Sequence, residues 1–391
     1  MPKYRYIALV LFLSLMSLVN AEDAAAKLNE SLYVGKPVVV DNVTVWAVYS
    51  TKPQEGISDF LTLAQAQEKK LAEVRETGAP PNGQQVQTNA NVQPPPAQTN
   101  ADHVQQREAA QNGAQGQLRG GDVSGEVNEL VIENKSDKPI MVLAGTLVKG
   151  GKQDRQIAED FIIQPGKTVP VGAFCVEHGR WTSDREDKNT QGVFEAQKVL
   201  AVKEVRESAQ YEKNQGRVWE NVAINNAKAS KSPGTGTLLA SVEETDKDAI
   251  ARRDHLRKEI AAKFESVKAD APVGLAYAID GKIKEIRTFS HNKLFALYSD
   301  TLINTVVIEG ELAQREAIAK KQEIYKGTVD AKQAVELLSE ANTLKEDVED
   351  TKAGNRNGYK KNGKVNNANC YFDTERGAAS AAPVSQSWSA K

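Results

Sequence analysis

The sequence is poor in the residue types that build metal sites and disulfide frameworks. Its 391 residues include two cysteines and four histidines, and no pair of these residues has the spacing of metal ligands. A nucleophile elbow, a dinucleotide fingerprint and a phosphate-binding loop are also absent from the sequence. The sequence therefore predicts no metal and no cofactor, and it supports no named class of enzyme.

The chain also lacks an excess of charge of either sign. It has 50 basic and 52 acidic residues. Without Lys3 and Arg5, which lie in the leader described next, 48 basic residues face 52 acidic ones, a net charge of −4. A near-neutral, slightly acidic chain is not expected to bind nucleic acid or an anionic membrane.

Long hydrophobic runs are missing except at the N-terminus. Residues 1–21 contain Lys3 and Arg5, the apolar run Ile7–Val19 and small residues up to Ala21. This pattern predicts a signal peptide cleaved after Ala21, and the apolar run is too short for the roughly twenty residues that span a bilayer. We therefore expect a secreted or periplasmic protein without a transmembrane segment after cleavage.

What the sequence does contain is two compact motifs of glycine and charge. Lys149-Gly-Gly-Lys-Gln-Asp-Arg155 and Cys175-Val-Glu-His-Gly-Arg-Trp181 each follow an apolar, β-branched segment. Turn residues separate a series of such segments, which favours short antiparallel strands. The predicted strands are 126–133, 140–148, 156–163 and 168–175.

Other segments complete an α+β fold, mainly an antiparallel sheet or sandwich with flanking helices. Residues 38–48 read as a strand pair, and Asp280-Gly281 predicts a type I′ hairpin over 274–289. Apolar residues at helical spacing predict the flanking helices. These helices are 58–77, 191–209, 246–269 and 292–321.

Changes in composition predict the domain boundaries. Residues 22–77 and 126–308 form one α+β domain, interrupted by 78–125, whose Gln, Asn, Pro and Gly residues predict a disordered loop insert. Residues 309–350 are expected to form a helical C-terminal appendage. Residues 351–391, rich in Gly, Asn and Lys, are expected to form a disordered tail.

Four blocks of the sequence resemble the ARG and rhodanese-phosphatase-superfamily-associated protein domain, a bacterial family. They occur in the family's order and, with the region 32–64, extend over most of residues 30–308. The insert, helix 246–269 and everything after Gly310 depart from the family pattern. The resemblance implies a family but no reaction. The blocks are Asn134–Arg155, Phe174–Trp181, Gly216–Trp219, and Val273–Phe289 leading into Leu294-Phe295.

The motifs allow two interpretations. Each is either an ordinary structural loop or part of a site where backbone N–H groups, Lys152 and Arg155 hold an anionic or carbohydrate ligand. Such a ligand, or an unidentified protein partner, would come from the cell envelope. The candidate ligand-binding residues are Lys149, Lys152, Gln153, Asp154, Arg155, His178, Arg180 and Trp181.

Two further alternatives concern the acidic and basic residues of the motifs. If both loops leave the same edge of the sheet, His178, Glu177 and Asp154 are candidates for the acid-base chemistry of a hydrolase or transferase. The other interpretation is a buried ion-pair network that pairs Asp154 or Glu177 with Arg155 or Arg180. We expect an exported binding or structural domain in which the two loops are in contact.

The two cysteines leave one more alternative open. Export would permit a disulfide between Cys175 and Cys370. Cys175 is otherwise a buried small side chain on a strand, and Cys370 a free thiol in the tail.

Overall fold

The computed structural model describes residues 26–52, 59–78, 128–185, 188–267, 271–361, 363–372 and 383–391. The fold is α+β and mostly antiparallel, as predicted. Within these residues no helix is both long and apolar enough to cross a membrane. The predicted signal peptide and, apart from Gly78, the predicted insert 78–125 lie outside the described residues, as do residues 126 and 127 of the predicted strand 126–133.

The strands, in chain order, are β1 Ala26–Lys27, β2 Leu32–Val34, β3 Val38–Val40, β4 Val43–Ser50, β5 Leu61–Thr62, β6 Ala72–Glu76, β7 Glu129–Asn134, β8 Ile140–Val142, β9 Thr146–Gly150, β10 Arg155–Ile157, β11 Phe161–Ile163, β12 Thr168–Cys175, β13 Asp184–Arg185, β14 Lys188–Asn189, β15 Val193–Leu200, β16 Gly274–Ile279, β17 Lys282–Phe289, β18 Glu346–Asp350, β19 Arg356–Lys360, β20 Val365–Tyr371 and β21 Ser385–Ala390. The helices are α1 Leu63–Glu68, α2 Lys203–Gln210, α3 Gln215–Lys228, α4 Leu239–Val242, α5 Lys247–Val267, α6 Asn292–Ala319 and α7 Lys332–Asn342.

One layer is a ten-stranded antiparallel sheet. Its strands run in the order β1-β2-β4-β16-β17-β21-β20-β19-β18, and β3 pairs with β4. The predicted hairpin of β16 and β17 is confirmed, and Asp280 and Gly281 have the positive φ angles of 51° and 79° that the turn requires. Helices α5 and α6 cover one face of this sheet, with Val43, Tyr277 and Leu256 in the shared core.

The second layer is a closed barrel that carries both motifs. Its strands run in the order β10-β12-β7-β6-β15-β9. Side chains from alternate positions fill the barrel with a continuous apolar core that includes Ile132, Val148, Ile157 and Phe194. Strands β5, β8 and β11 form a small adjoining sheet, in which β5 pairs in parallel with β8.

The predicted helix 58–77 is wrong beyond its first turns. Helix α1 begins at Leu63, after the N-cap residue Thr62, which forms a capping box with Gln65, and it ends at Glu68. The chain then turns at Lys70, whose φ is 59°, and continues as strand β6. Strand β6 forms because it has partners on both sides, β7 and β15, which a local pattern does not reveal.

The predicted helix 191–209 is also wrong in its first half. Residues Val193–Leu200 form strand β15, and the helix α2 begins only at Lys203. A turn at Gln191 and Gly192, with φ angles of 52° and 73°, sets up the strand. Phe194 and Ala196, two residues apart, both point into the barrel core. The two-residue period of a β-strand therefore describes this segment better than helical spacing does.

The C-terminal region contains helices, as predicted, but they do not form an appendage, and the described part of the predicted disordered tail is largely β-strand. Helix α6 runs through Gly310 without a break, and α7 packs on strands β17, β20 and β21 instead of pairing with α6 as an appendage. The predicted tail supplies β19, β20 and β21 to the ten-stranded sheet, with Tyr359 and Trp388 buried. Small Asn and Ser side chains fit between the two layers, so low hydrophobicity here does not mean exposure.

Both cysteines are free thiols, so the proposed disulfide is absent. Cys175 lies in the barrel on β12, whereas Cys370 lies in the large sheet on β20, near the carbonyl oxygen of Asp160. Burial raises the pKa of both thiols.

Candidate functional site

The two motif loops meet at one end of the barrel, as predicted. The first forms the turn between β9 and β10, and the second follows β12, which pairs with β10. The backbone N–H of Val176 donates to the carbonyl oxygen of Asp154 at 2.9 Å, and the N–H of Asp154 donates to Glu177 Oε2, also at 2.9 Å. The pairing of β10 with β12 therefore continues into a direct contact between the loops.

Glycine is required in the first loop by backbone conformation and by space. Gly151 has a φ of 50°, and a Cβ added there would lie 2.1 Å from Phe194 Cζ. The ring of Phe194 thus closes the barrel beneath the loop. The glycine pair serves the packing of the turn and does not expose backbone N–H groups to a ligand.

The carboxylates of the motifs belong to a buried ion-pair cluster. Asp154 is 0% exposed, Glu177 1% and Arg180 7%. Arg180 Nη2 lies 2.9 Å from Glu177 Oε2 and 3.6 Å from Asp154 Oδ1, and Arg185 also pairs with Asp154. We call Asp154, Glu177, Arg180 and Arg185 the buried ion-pair cluster.

Arg180 also ties the second loop to the first. Its Nη1 donates to the carbonyl oxygen of Gly151 at 2.7 Å, and its Nη2 donates to that of Gly150 at 3.2 Å. Thr237 completes the cluster by donating its hydroxyl to Asp154 Oδ2 at 2.7 Å. The predicted buried network is thus present with Arg180, whereas Arg155 does not take part in it.

Glu177 is held in its ionised form. Burial acts to raise its pKa, but hydrogen bonds from Arg180, Thr235 and the Asp154 amide outweigh burial, and the pKa lies below its ordinary value. A carboxylate kept ionised inside the protein is suited to fixing loops in place. It is poorly suited to donating a proton.

His178 lies on the other side of the loop, in solvent. Its ring packs edge-to-face on Trp219 with ring centroids 4.6 Å apart, and it makes no side-chain hydrogen bond to a described residue. The three catalytic candidates are therefore divided between the interior, for Asp154 and Glu177, and the surface, for His178. This division supports the structural interpretation of the carboxylates.

Trp181 is the most exposed large apolar side chain among the described residues, at 57%. It directly follows the buried Arg180. The loop before it is anchored further, because the backbone N–H groups of His178 and Gly179 donate to the carbonyl oxygen of Thr235 at 3.0 and 2.8 Å.

The remaining candidates differ in their surroundings. Lys149 Nζ lies 2.6 Å from Glu243 Oε1 near the surface. Lys152 is half-buried and has no ion pair with a described residue, while Gln153 and Arg155 are buried at 3% exposure each. The first motif therefore mixes surface, rim and interior positions.

Sequence reasoning missed Arg185, Thr235 and Thr237, which complete the buried ion-pair cluster. A signal for the threonines existed in Pro233-Gly-Thr-Gly-Thr237, a second glycine-containing turn. Its contact with the motifs depends on the tertiary fold, since it lies more than fifty residues from Cys175 in the chain. Among the described residues no group of three or more metal-ligating side chains is present.

Comparison with protein-family models gives one match over residues 31–381, to the family described as ARG and Rhodanese-Phosphatase-superfamily-associated Protein domain. The suspected family is thereby confirmed, and it extends past Gly310, where the sequence pattern was expected to depart from it. Comparison with curated proteins and with solved structures gives no match.

Proposed function

We propose that this chain, which belongs to the ARG and Rhodanese-Phosphatase-superfamily-associated Protein domain family, is an exported binding domain that contacts a partner protein through an aromatic surface. The aromatic surface consists of the exposed side chains of His178 and Trp181, together with Trp219 against which His178 packs. One observation carries the proposal: Trp181 is 57% exposed on a loop whose neighbouring residue, Arg180, is buried and fully hydrogen-bonded.

The physical argument rests on preorganisation. Tryptophan is enriched among the residues that dominate the binding energy of protein interfaces. Ordering a mobile loop on binding costs free energy, and a loop that is already fixed avoids most of this cost. The buried ion-pair cluster fixes the loop, so burial of Trp181 by a partner would stabilise a complex with little loss of entropy.

The family description suggests the class of partner to test first. It associates this domain with ARG and rhodanese-phosphatase-superfamily proteins. A protein of that superfamily, present in the same compartment, is the partner we propose. An envelope glycan is the competing ligand, because an exposed indole also stacks on sugar rings.

A photo-crosslinking amino acid placed at position 181 tests the proposal in cells. We expect a defined protein adduct from position 181 and none from position 348, since Val348 has a similar exposure of 55% but lies on the edge strand β18. Trp181→Ala is expected to abolish co-purification of that adduct's protein while leaving the melting temperature unchanged. Identical adducts from both positions, no protein adduct, or an adduct that only a glycan-degrading enzyme removes would overturn the assignment.

Export is tested separately by the mass of the mature chain. We expect the protein isolated from its host to begin at Glu22, because the small residues up to Ala21 suit signal peptidase. Intact-mass spectrometry of the envelope and cytoplasmic fractions measures this directly. A full-length chain beginning at Met1 in the cytoplasmic fraction would contradict export without affecting the partner surface.

A further inference from the structure

Arg155 is a buried cation inside the barrel. It pairs across the sheet with Val148 of β9 and with Cys175 of β12. Because directly opposed residues of antiparallel strands share a face, Arg155 lies on the same face as Ile157 and Ala173, which belong to the barrel core. Its exposure is 3%.

Only one nitrogen of the Arg155 guanidinium, Nη1, donates hydrogen bonds to described residues. Nη1 donates to the carbonyl oxygen of Gln153 at 2.9 Å and approaches Gln153 Oε1 at 3.4 Å. Nε is buried without an acceptor, and Nη2 has no hydrogen bond to a described residue. The Nε–Nη2 edge can bind a carboxylate side-on with two parallel hydrogen bonds, and no group of the described residues occupies it.

Other buried arginines of the described residues are paired. Arg180 lies 2.9 Å from Glu177, Arg287 lies 3.2 Å from Glu285, and Arg206 pairs with Glu285 as well. Arg155 has no carboxylate within ion-pair distance among the described residues, which sets it apart.

The nearby carboxylates already interact with other groups. Glu177 is bound by Arg180, and Glu76 Oε1 accepts the backbone N–H of Lys152 at 2.7 Å. Arg155 lies directly opposite Cys175 on the paired strands, and Glu177 lies two residues beyond Cys175. Burial raises the pKa of the Cys175 thiol, the charge of Arg155 lowers it, and the charges of Glu177 and Glu76 raise it. Lys152, on the same turn as Arg155, adds a second cation without an ion pair to a described residue.

An unpaired buried charge is costly, and arginine cannot escape this cost by losing its proton. We propose that Arg155 binds the carboxylate of a ligand at this end of the barrel, through its Nε–Nη2 edge. Gln153 contacts only Nη1 and leaves this edge free, and Lys152, half-buried on the same turn, attracts the ligand at the rim. This site uses residues that the aromatic surface does not use.

Thermal unfolding in the presence of sodium acetate tests this proposal on the mature chain. At constant ionic strength, with chloride as the replaced anion, the melting temperature of the wild type is expected to rise with acetate until saturation, as a ligand that binds only the folded state requires. Arg155→Met is expected to lose this response. In buffer without acetate the same variant should be as stable as the wild type or more so, because it removes an uncompensated charge.

Two controls separate this result from general salt effects. Arg217→Met, at an exposed position on α3, should respond to acetate as the wild type does. An N-acetylated dipeptide acting at lower concentration than acetate would identify a chain terminus as the ligand, whereas an equal response would identify a small carboxylate. A parallel response of Arg155→Met and wild type, an equal effect of chloride, or no response of the wild type would overturn the site.

Discussion

Arg180→Met is expected to lower the free energy of unfolding by about 3–5 kcal/mol. The substitution leaves the carboxylate of Glu177 buried without its cation and removes the donors that bind the carbonyl oxygens of Gly150 and Gly151. Methionine keeps much of the volume, so lost charge and hydrogen bonding dominate the change. Denaturant unfolding at neutral pH, followed by circular dichroism, measures it.

Two variants show whether the loss comes from the uncompensated charge. Arg217→Met removes an exposed arginine and should leave the unfolding midpoint unchanged within error. The double variant Glu177→Gln, Arg180→Met should recover part of the stability, because it removes both charges of the pair. If the free energy of unfolding falls in the double variant by the sum of the decreases in the two single variants, the ion-pair explanation is contradicted.

The second large effect concerns Glu309, which lies on α6 between the sheet and the barrel and is 9% exposed. Its Oε1 accepts the backbone N–H of Lys203 at 2.7 Å, and its Oε2 lies 2.9 Å from the hydroxyl of Tyr277. Burial, assisted by the charge of Glu204, raises the pKa of Glu309 to about 7, although Arg206 acts in the opposite direction. The folded protein therefore holds this proton more tightly than the unfolded chain does.

The sign of the pH dependence follows from this difference. A carboxyl group with a raised pKa in the folded state contributes stability that is fully present below its unfolded pKa of about 4.5 and is lost as the pH rises through about 7. The loss over this range is about 3 kcal/mol for such a shift. Glu309→Gln keeps a neutral side chain at every pH, so its stability relative to the wild type should rise between pH 4.5 and 8.

Chemical denaturation at a series of pH values measures this effect. Glu323→Gln, at an exposed position after α6, is the matched control and should follow the wild type. If Glu309→Gln and the wild type differ by the same amount at every pH, the proton on Glu309 is not linked to folding.

The candidate site shows which predictions made from the sequence alone are confirmed by the structure. The two motifs, their position after strands and their mutual contact were all predicted. The loops meet because the strands that precede them, β9 and β12, both pair antiparallel with β10 and therefore end at the same edge of the barrel. The sequence did not predict which of the charged residues form ion pairs inside the protein. Arg155 and Arg180 carry the same charge in similar motifs, yet only Arg180 meets the two carboxylates.

The errors in secondary structure have a common physical origin. Residues 72–76 and 193–200 become strands because each completes a barrel, and hydrogen bonding to strands distant in the chain outweighs local helical spacing. Residues 356–360, 365–371 and 385–390 become strands because the opposing layer presents polar groups, so Ser385 donates to Asp160 and Ser389 pairs with Glu207. Apolar periodicity carries no information about such a polar interface.

By itself, the sequence determined the family, the α+β class, the Asp280-Gly281 hairpin and the meeting of the two motif loops, since these depend on turn chemistry and short-range patterns. The tertiary structure alone decided the closure of the barrel, the use of the C-terminal residues as central strands and the burial of each charge. These features depend on which distant groups meet, because a buried charge or an unpaired strand edge is stable only when its partner arrives from elsewhere in the chain.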